Sequence, residues 1–353
     1  MTTACQADRA ETGRALGHDL YRYGRRLPVA DVRADAASLA SLAEGHAQAR
    51  ARAVPRLHPD RHERKWLQLR FIAWRRGRAV AADVTPALLR EIDVSRCPVT
   101  RCALTHGERA DTDGSVDRLD NDGAYAANNL AIVSTAANRA KGSRSFEAVH
   151  ALAQRGEPAE GLPPAAWLRL AALMLGPCFA TRPQAAPTLP LTVLLPPRAV
   201  RLALQQVQHV FATRASPQSG KNALVKHFKA ASRGERAQAA LRTLAEAVHQ
   251  GLKTVDREFA CDVWLQPATM PALIAWRAAL DGAGWALAGE ISRVLAGSRC
   301  VPASRLLSWR LDTRGYDVPA HPPRTVTPWP ARAASTPLFS SPFPTSTFQG
   351  VTA

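Results

Sequence analysis

The stretch SVDRLDNDGAYAANNLAIVSTAANRAKG, residues 115–142, decides how the chain is read. Two short apolar runs, 116–119 and 130–133, flank a polar segment containing Asn121-Asp122-Gly123, and each run suits one strand of a small ribbon. Asp-Gly tolerates the positive φ angles of a tight hairpin turn, so such a turn is expected between them. Ser134 or Thr135 can cap a following helix, and Gly142 can end it. The expected order is therefore strand, loop, strand, helix. A hairpin folded onto that helix brings Asp117 toward Asn138, 21 residues later in the chain. Lys141, three positions beyond Asn138, falls on the same helix face.

Outward from this segment, the composition narrows the partners. The 353 residues are 46% hydrophobic and carry a formal net charge of +17, enough for two modest cores under a positive field that concentrates polyanions. Nucleic acid is the favoured partner. No apolar run approaches the roughly 18 residues of a spanning helix, and the N-terminus lacks a secretory apolar core, so no membrane role is expected and a cytoplasmic location is. The six cysteines are scattered without paired Cys-x-x-Cys motifs, so structural zinc is not expected.

Residues 36–50 and 60–77 suit helices, and the second opens with the capping-box pattern Asp60-x-x-Glu63. Its apolar residues spread over a wide face, as in a helix buried on one side. Between Arg50 and Arg78 stand ten Lys or Arg against Asp60 and Glu63 alone, which reads equally as a solvated face or a phosphate-binding patch. Further helices are expected at 85–93, 145–155 (ended by Gly156) and 163–175 (ended by Gly176-Pro177). Proline density marks a linker at 177–197. Beyond it, 198–213, 234–255 and 270–295 have helical periodicity, and Ala237, Ala240, Leu241, Leu244, Val248 and Leu252 form one stripe. The last 35 residues hold eight prolines and no acidic residue, so a disordered tail is expected at 319–353.

Several elements in order, Cys97-Pro98-Val99-Thr100, Ser115-Val116-Asp117-Arg118-Leu119-Asp120-Asn121, Gly123-Ala124-Tyr125, Asn129-Leu130 and Asn138-Arg139-Ala140-Lys141, resemble the HNH, or ββα-metal, nuclease family in its phage-type form. The resemblance covers about residues 95–150. It implies a mainly α protein with a small embedded ββα-metal hairpin-helix module at 95–156. Around it lie a basic helical region (1–94), a packing helix (157–176), the linker, a helical C-terminal domain (198–318) and the tail. It further implies Asp117 and Asn138 as ligands of one Mg²⁺ (or Mn²⁺), with Asn129 bracing the loop. The ion would neutralise charge during attack of water on a DNA phosphodiester.

The chain departs from the family where the general base normally stands, directly after the Asp, because that position is Arg118. A guanidinium has no lone pair to accept a proton near neutrality. Arg118 is instead expected to clamp phosphate or stabilise the transition state, and the base to be Asp120, His106 or metal-bound water. Candidate phosphate contacts are Arg139, Lys141 and Arg144 near the module and Arg61, Arg64, Lys65, Arg75 and Arg76 on the basic helix.

Four other readings compete. The carboxylates and Asn side chains also suit ordinary turns and caps. Asp111, Asp113, Ser115 and Asp117 alternate as in a calcium loop, but Val116 and Asp122 break its rules. As a whole, the chain also fits a DNA-binding protein that lost its base, or a helical interaction protein.

Overall fold

The computed structural model describes residues 3–25, 36–178 and 203–296. Among these the protein is mainly helical, with one two-stranded antiparallel sheet. Nearly all of the expected 177–197 linker, and the whole 319–353 tail, lie outside the described residues. Two compact units emerge: one of 3–25, 36–93 and 116–132, the other of 94–115, 133–178 and 203–296.

In the first unit, α1 (Thr3–Arg22) and α2 (Ala36–Ala51) meet backbone to backbone. A Cβ at Gly17 would stand 2.0 Å from the Leu42 carbonyl oxygen, and one at Gly45 1.9 Å from that of Arg14. Only glycine fits there. Leu16, Leu20 and Leu42 close a small core with Leu67 and Trp74 of α3 (Arg61–Arg75). The capping box forms: Asp60 accepts from the amides of His62 and Glu63, and Glu63 Oε2 accepts from the Asp60 amide at 2.8 Å. α4 (Pro86–Glu91) is capped by Thr85, whose hydroxyl accepts from Leu88 N at 3.2 Å.

β1 (Gly114–Arg118) pairs with β2 (Leu130–Ser134), and α5 (Thr135–Lys141) follows at once. The tight Asp-Gly turn is not formed. Gly123 does not take a positive φ, and the strands are joined by a longer loop ending in a 3-10 turn, Ala127–Asn129. Side-chain bonds to loop carbonyls replace the turn geometry that Asp-Gly alone suggested. Ser134 caps α5 through Ala137 N at 3.3 Å, and Gly142 ends it at φ 52°.

α6 (Phe146–Arg155), ended by left-handed Gly156, packs on α7 (Pro164–Cys178). α7 runs past Gly176-Pro177 because a proline in the final turn forfeits only one ladder bond. After it come α8 (Ala203–Arg214), α9 (Gln218–Phe228), α10 (Glu235–Gly251), α11 (Thr269–Ala279) and α12 (Gly282–Ala296). Phe211, Phe228 and Trp276 form the aromatic centre of this core, with Trp276 Nε1 donating to Ser232 Oγ at 2.9 Å. The helix expected at 270–295 is two helices. Leu280 is extended, and Asp281 starts the next helix by accepting from Gly284 N at 2.6 Å.

Candidate functional site

The loop between the strands is organised by one side chain. Asn129 is fully buried, and its Nδ2 donates to the carbonyls of Asp120 and Ala124, each at 2.9 Å. Its Oδ1 accepts from Asp120 N at 2.8 Å, while its carbonyl accepts from Leu119 N at 2.8 Å. An amide offers two donors and an acceptor in one plane, and this loop uses all three.

Arg118 works on the same loop. Its Nη1 donates to the carbonyls of Asn121 (2.9 Å) and Gly123 (2.8 Å), and its guanidinium lies 4.9 Å from the ring centroid of Tyr125. Tyr125 is itself fixed by backbone bonds to Ala79 and Ala81. Arg118 is thus a tie between strand end and turn. Asp120 is half-buried, and its Oδ1 caps the turn by accepting from Asp122 N at 3.0 Å.

Asp117 is only 5% exposed although it sits on a two-stranded ribbon. It interacts with its surroundings, yet its Oδ2 is an enclosed atom that accepts no hydrogen bond. Asn138, half-buried on α5, donates from Nδ2 to Ser115 Oγ at 2.7 Å, which turns its amide oxygen away from Ser115. Ser115 was named in the motif but given no part in positioning Asn138, the part the structure gives it. Its signal was its place two residues before Asp117, on the same side of the strand.

The alternating carboxylates do not make a calcium cage. Asp113 is taken up by Thr105 Oγ1 (2.7 Å), Glu108 N (3.2 Å) and Arg109 N (2.8 Å), and these donors, the Thr105 hydroxyl first, hold its carboxyl below the usual range. Asp111 pairs with Arg139 at 2.8 Å. His106 is exposed on the loop that wraps Asp113. Among the described residues no three His, Cys, Asp or Glu side chains gather to hold a metal ion.

The expected phosphate contacts divide. Lys141 is 0% exposed, so it does not meet a ligand at the surface; with Ala137 and Ala140 it forms the inward face of α5, a consequence of three- and four-residue spacing. Arg144, half-buried, is engaged locally, donating to the Ala140 carbonyl (2.7 Å) and to Glu160 in a surface ion pair (2.6 Å). Arg139 is exposed in a surface ion pair that contributes little and exchanges readily for phosphate.

On α3, the buried Leu67, Leu69, Ala73 and Trp74 define one side. Arg61, Arg64, Lys65 and Arg75, with Arg76 at the C-cap, recur on the other at helical spacing. This stripe is about 22 Å long at 1.5 Å per residue. Within the stripe, Arg61 pairs with Asp93 and Arg64 donates to the Pro59 carbonyl at 2.7 Å.

Compared with family models, curated proteins and solved structures, the chain matches none. No helix among the described residues is long and apolar enough to cross a membrane.

Proposed function

We propose that the protein is a metal-dependent, HNH-like endonuclease that docks on DNA by phosphate contacts and hydrolyses phosphodiester bonds at its ββα segment. The observation that supports this best is the braced loop: strand, Asn129-stapled connection, strand and capped helix follow one another in the order of the motif. Asp117 on β1 and Asn138 on α5 would hold the ion, and a carboxylate and an amide oxygen are hard donors of the kind Mg²⁺ and Mn²⁺ prefer. When bound, such an ion supplies charge neutralisation at the phosphate and the departing oxygen.

The chain's own residues do the positioning. Arg118 and Asn129 fix the loop that follows Asp117, so that carboxylate is presented from a rigid frame. Asp120 stands nearest in sequence to accept a proton from attacking water, with one oxygen already accepting from Asp122 N. General-base assistance is worth about 10²- to 10⁴-fold, so a weak base predicts slow cutting. The exposed cations of α3 supply sequence-independent attraction to the backbone. A second reading, a DNA-binding protein without cutting activity, draws on the commitment of Arg118 to loop carbonyls at the usual base position.

Plasmid nicking in Mg²⁺, Mn²⁺ or chelator, with wild type, Asp117→Ala and Asn138→Ala, tests the site. The expected result is slow, metal-dependent nicking by wild type and at least a tenfold loss in both variants. Equal cutting by all three defeats the assignment. Binding without nicking by wild type supports the second reading.

A further inference from the structure

The CPVTRC segment, residues 97–102, is a tight antiparallel hairpin that the proposed reaction does not use. Cys97 N donates to the Cys102 carbonyl at 2.8 Å, and Leu104 N donates to that of Ser95 at 2.8 Å, on either side of the Arg96–Ala103 bridge. Arg101 N donates to the Cys97 carbonyl at 2.9 Å, so Arg101 and Cys102 face Cys97 together across a β-bulge, and the Cys97–Cys102 bond holds those two residues side by side on adjacent strands. Facing residues of adjacent antiparallel strands have Cα atoms about 4.5–5.5 Å apart. Disulfides form across about 4.4–6.8 Å. Both cysteines are free thiols.

The surroundings treat the two sulfurs differently. Cys97 is buried, and its Sγ accepts from the amides of Ser134 (3.1 Å), Val99 and Thr100 (3.4 Å each). Burial pushes this thiol up, but the Ser134 and Thr100 donors outweigh it and bring it below its ordinary value. The Thr100 hydroxyl lies 3.1 Å from Cys102 Sγ while its amide donates to Cys97 Sγ, so Thr100 touches both sulfurs. Cys102 is half-buried and is the sulfur an outside reagent meets. Arg101, at a left-handed φ of 66°, closes the turn. By contrast Cys261, buried away from such donors, has its thiol pushed up to about 12 and takes no part.

We propose that Cys97 and Cys102 form a reversible disulfide by exchange with a low-molecular-weight disulfide. The Cys102 thiolate attacks one sulfur of the small disulfide, forming a mixed disulfide and releasing one small thiolate. The Cys97 thiolate then attacks the Cys102 sulfur and expels the second. Two protein thiols are oxidised, one small disulfide is reduced to two thiols, and these take up the two protons. A donor-stabilised thiolate is the attacking species such exchange requires. The bond moves electron density away from a sulfur that anchors Ser134, the N-cap of α5.

The test uses the full chain and oxidised glutathione, followed by peptide mapping by mass spectrometry and reversal with dithiothreitol. The expected product is a Cys97–Cys102 crosslinked peptide lacking two hydrogens. Cys97→Ser should accumulate a glutathionyl adduct on Cys102, and Cys102→Ser should lose the crosslink. Thr100→Val, with both thiols intact, should still crosslink but at least threefold more slowly. A wild-type protein that carries separate adducts on the two cysteines, or crosslinks elsewhere while this pair stays reduced, overturns the proposal. So does a Cys102→Ser variant that reacts like wild type.

Discussion

Replacing Asp262 by alanine removes the carboxylate that the guanidinium groups of Arg101 and Arg169 share. Arg101 donates to it from Nε (3.2 Å) and Nη2 (2.5 Å), and Arg169 from Nε (3.2 Å) and Nη2 (2.9 Å). The three side chains are 15%, 12% and 14% exposed, so water compensates little when the anion goes. Burial is the chief force lowering the Arg169 pKa, with Asp262 opposing it. Breaking a buried ion pair by removing one partner costs about 3–5 kcal/mol, and here two cations are left behind. The loss is read as a lower guanidinium midpoint, followed by tryptophan fluorescence, for the transition reporting the buried Trp167, Trp264 and Trp276. Asp262→Asn keeps the shape and loses the charge, so it should fall nearly as far. Replacing all three residues together by apolar ones of similar volume should recover most of the stability, because desolvation of the charges disappears with them. A loss under about 1 kcal/mol for Asp262→Ala, or no recovery in the triple variant, would refute this reasoning.

Asn129→Ala should leave the Asp120 and Ala124 carbonyls buried without their donor, at about 1–3 kcal/mol for each; hydrogen exchange across 119–129 should rise more than elsewhere, and uniform exchange would contradict the brace. The N-cap Asp60 has its carboxyl held down at about 2 by the Glu63 amide first and then by Arg90. A depressed folded pKa means that its contribution is complete above the unfolded value near 4 and lost as pH falls through about 2. The stability gap between wild type and Asp60→Asn should therefore narrow between those limits in acid titration, and a gap constant down to pH 2 would contradict the assignment. In a salt titration of DNA binding, Arg76→Ala should flatten the logarithmic slope by about one, and an unchanged slope would remove α3 from the interface.

Caps and chain order were legible before the fold was seen. Asp60-x-x-Glu63, Ser134, Gly142 and Gly156 act through side chains or dihedrals within a few residues, so local sequence contains the whole signal. What escaped depends on distant partners. α1 presents Gly13, Gly17 and Leu16 to its neighbour, a small-residue face that hydrophobic periodicity does not register. Lys141 read as a surface cation because charge in sequence says nothing about which face a short helix turns inward. Arg118 was recognised as unable to act as a base, but its engagement with Asn121 and Gly123 required the actual path of the loop. The tight Asp-Gly turn failed for the same reason: Asn129, six residues past Gly123, decides the loop's shape.

The contact of α1 with α2 has a mechanical consequence. At Gly17 and Gly45 main chain rests on main chain, with no layer of rotamers between that could yield under load. A push on one helix is therefore handed to the other undamped, and the pair behaves as a stiff strut in the N-terminal unit.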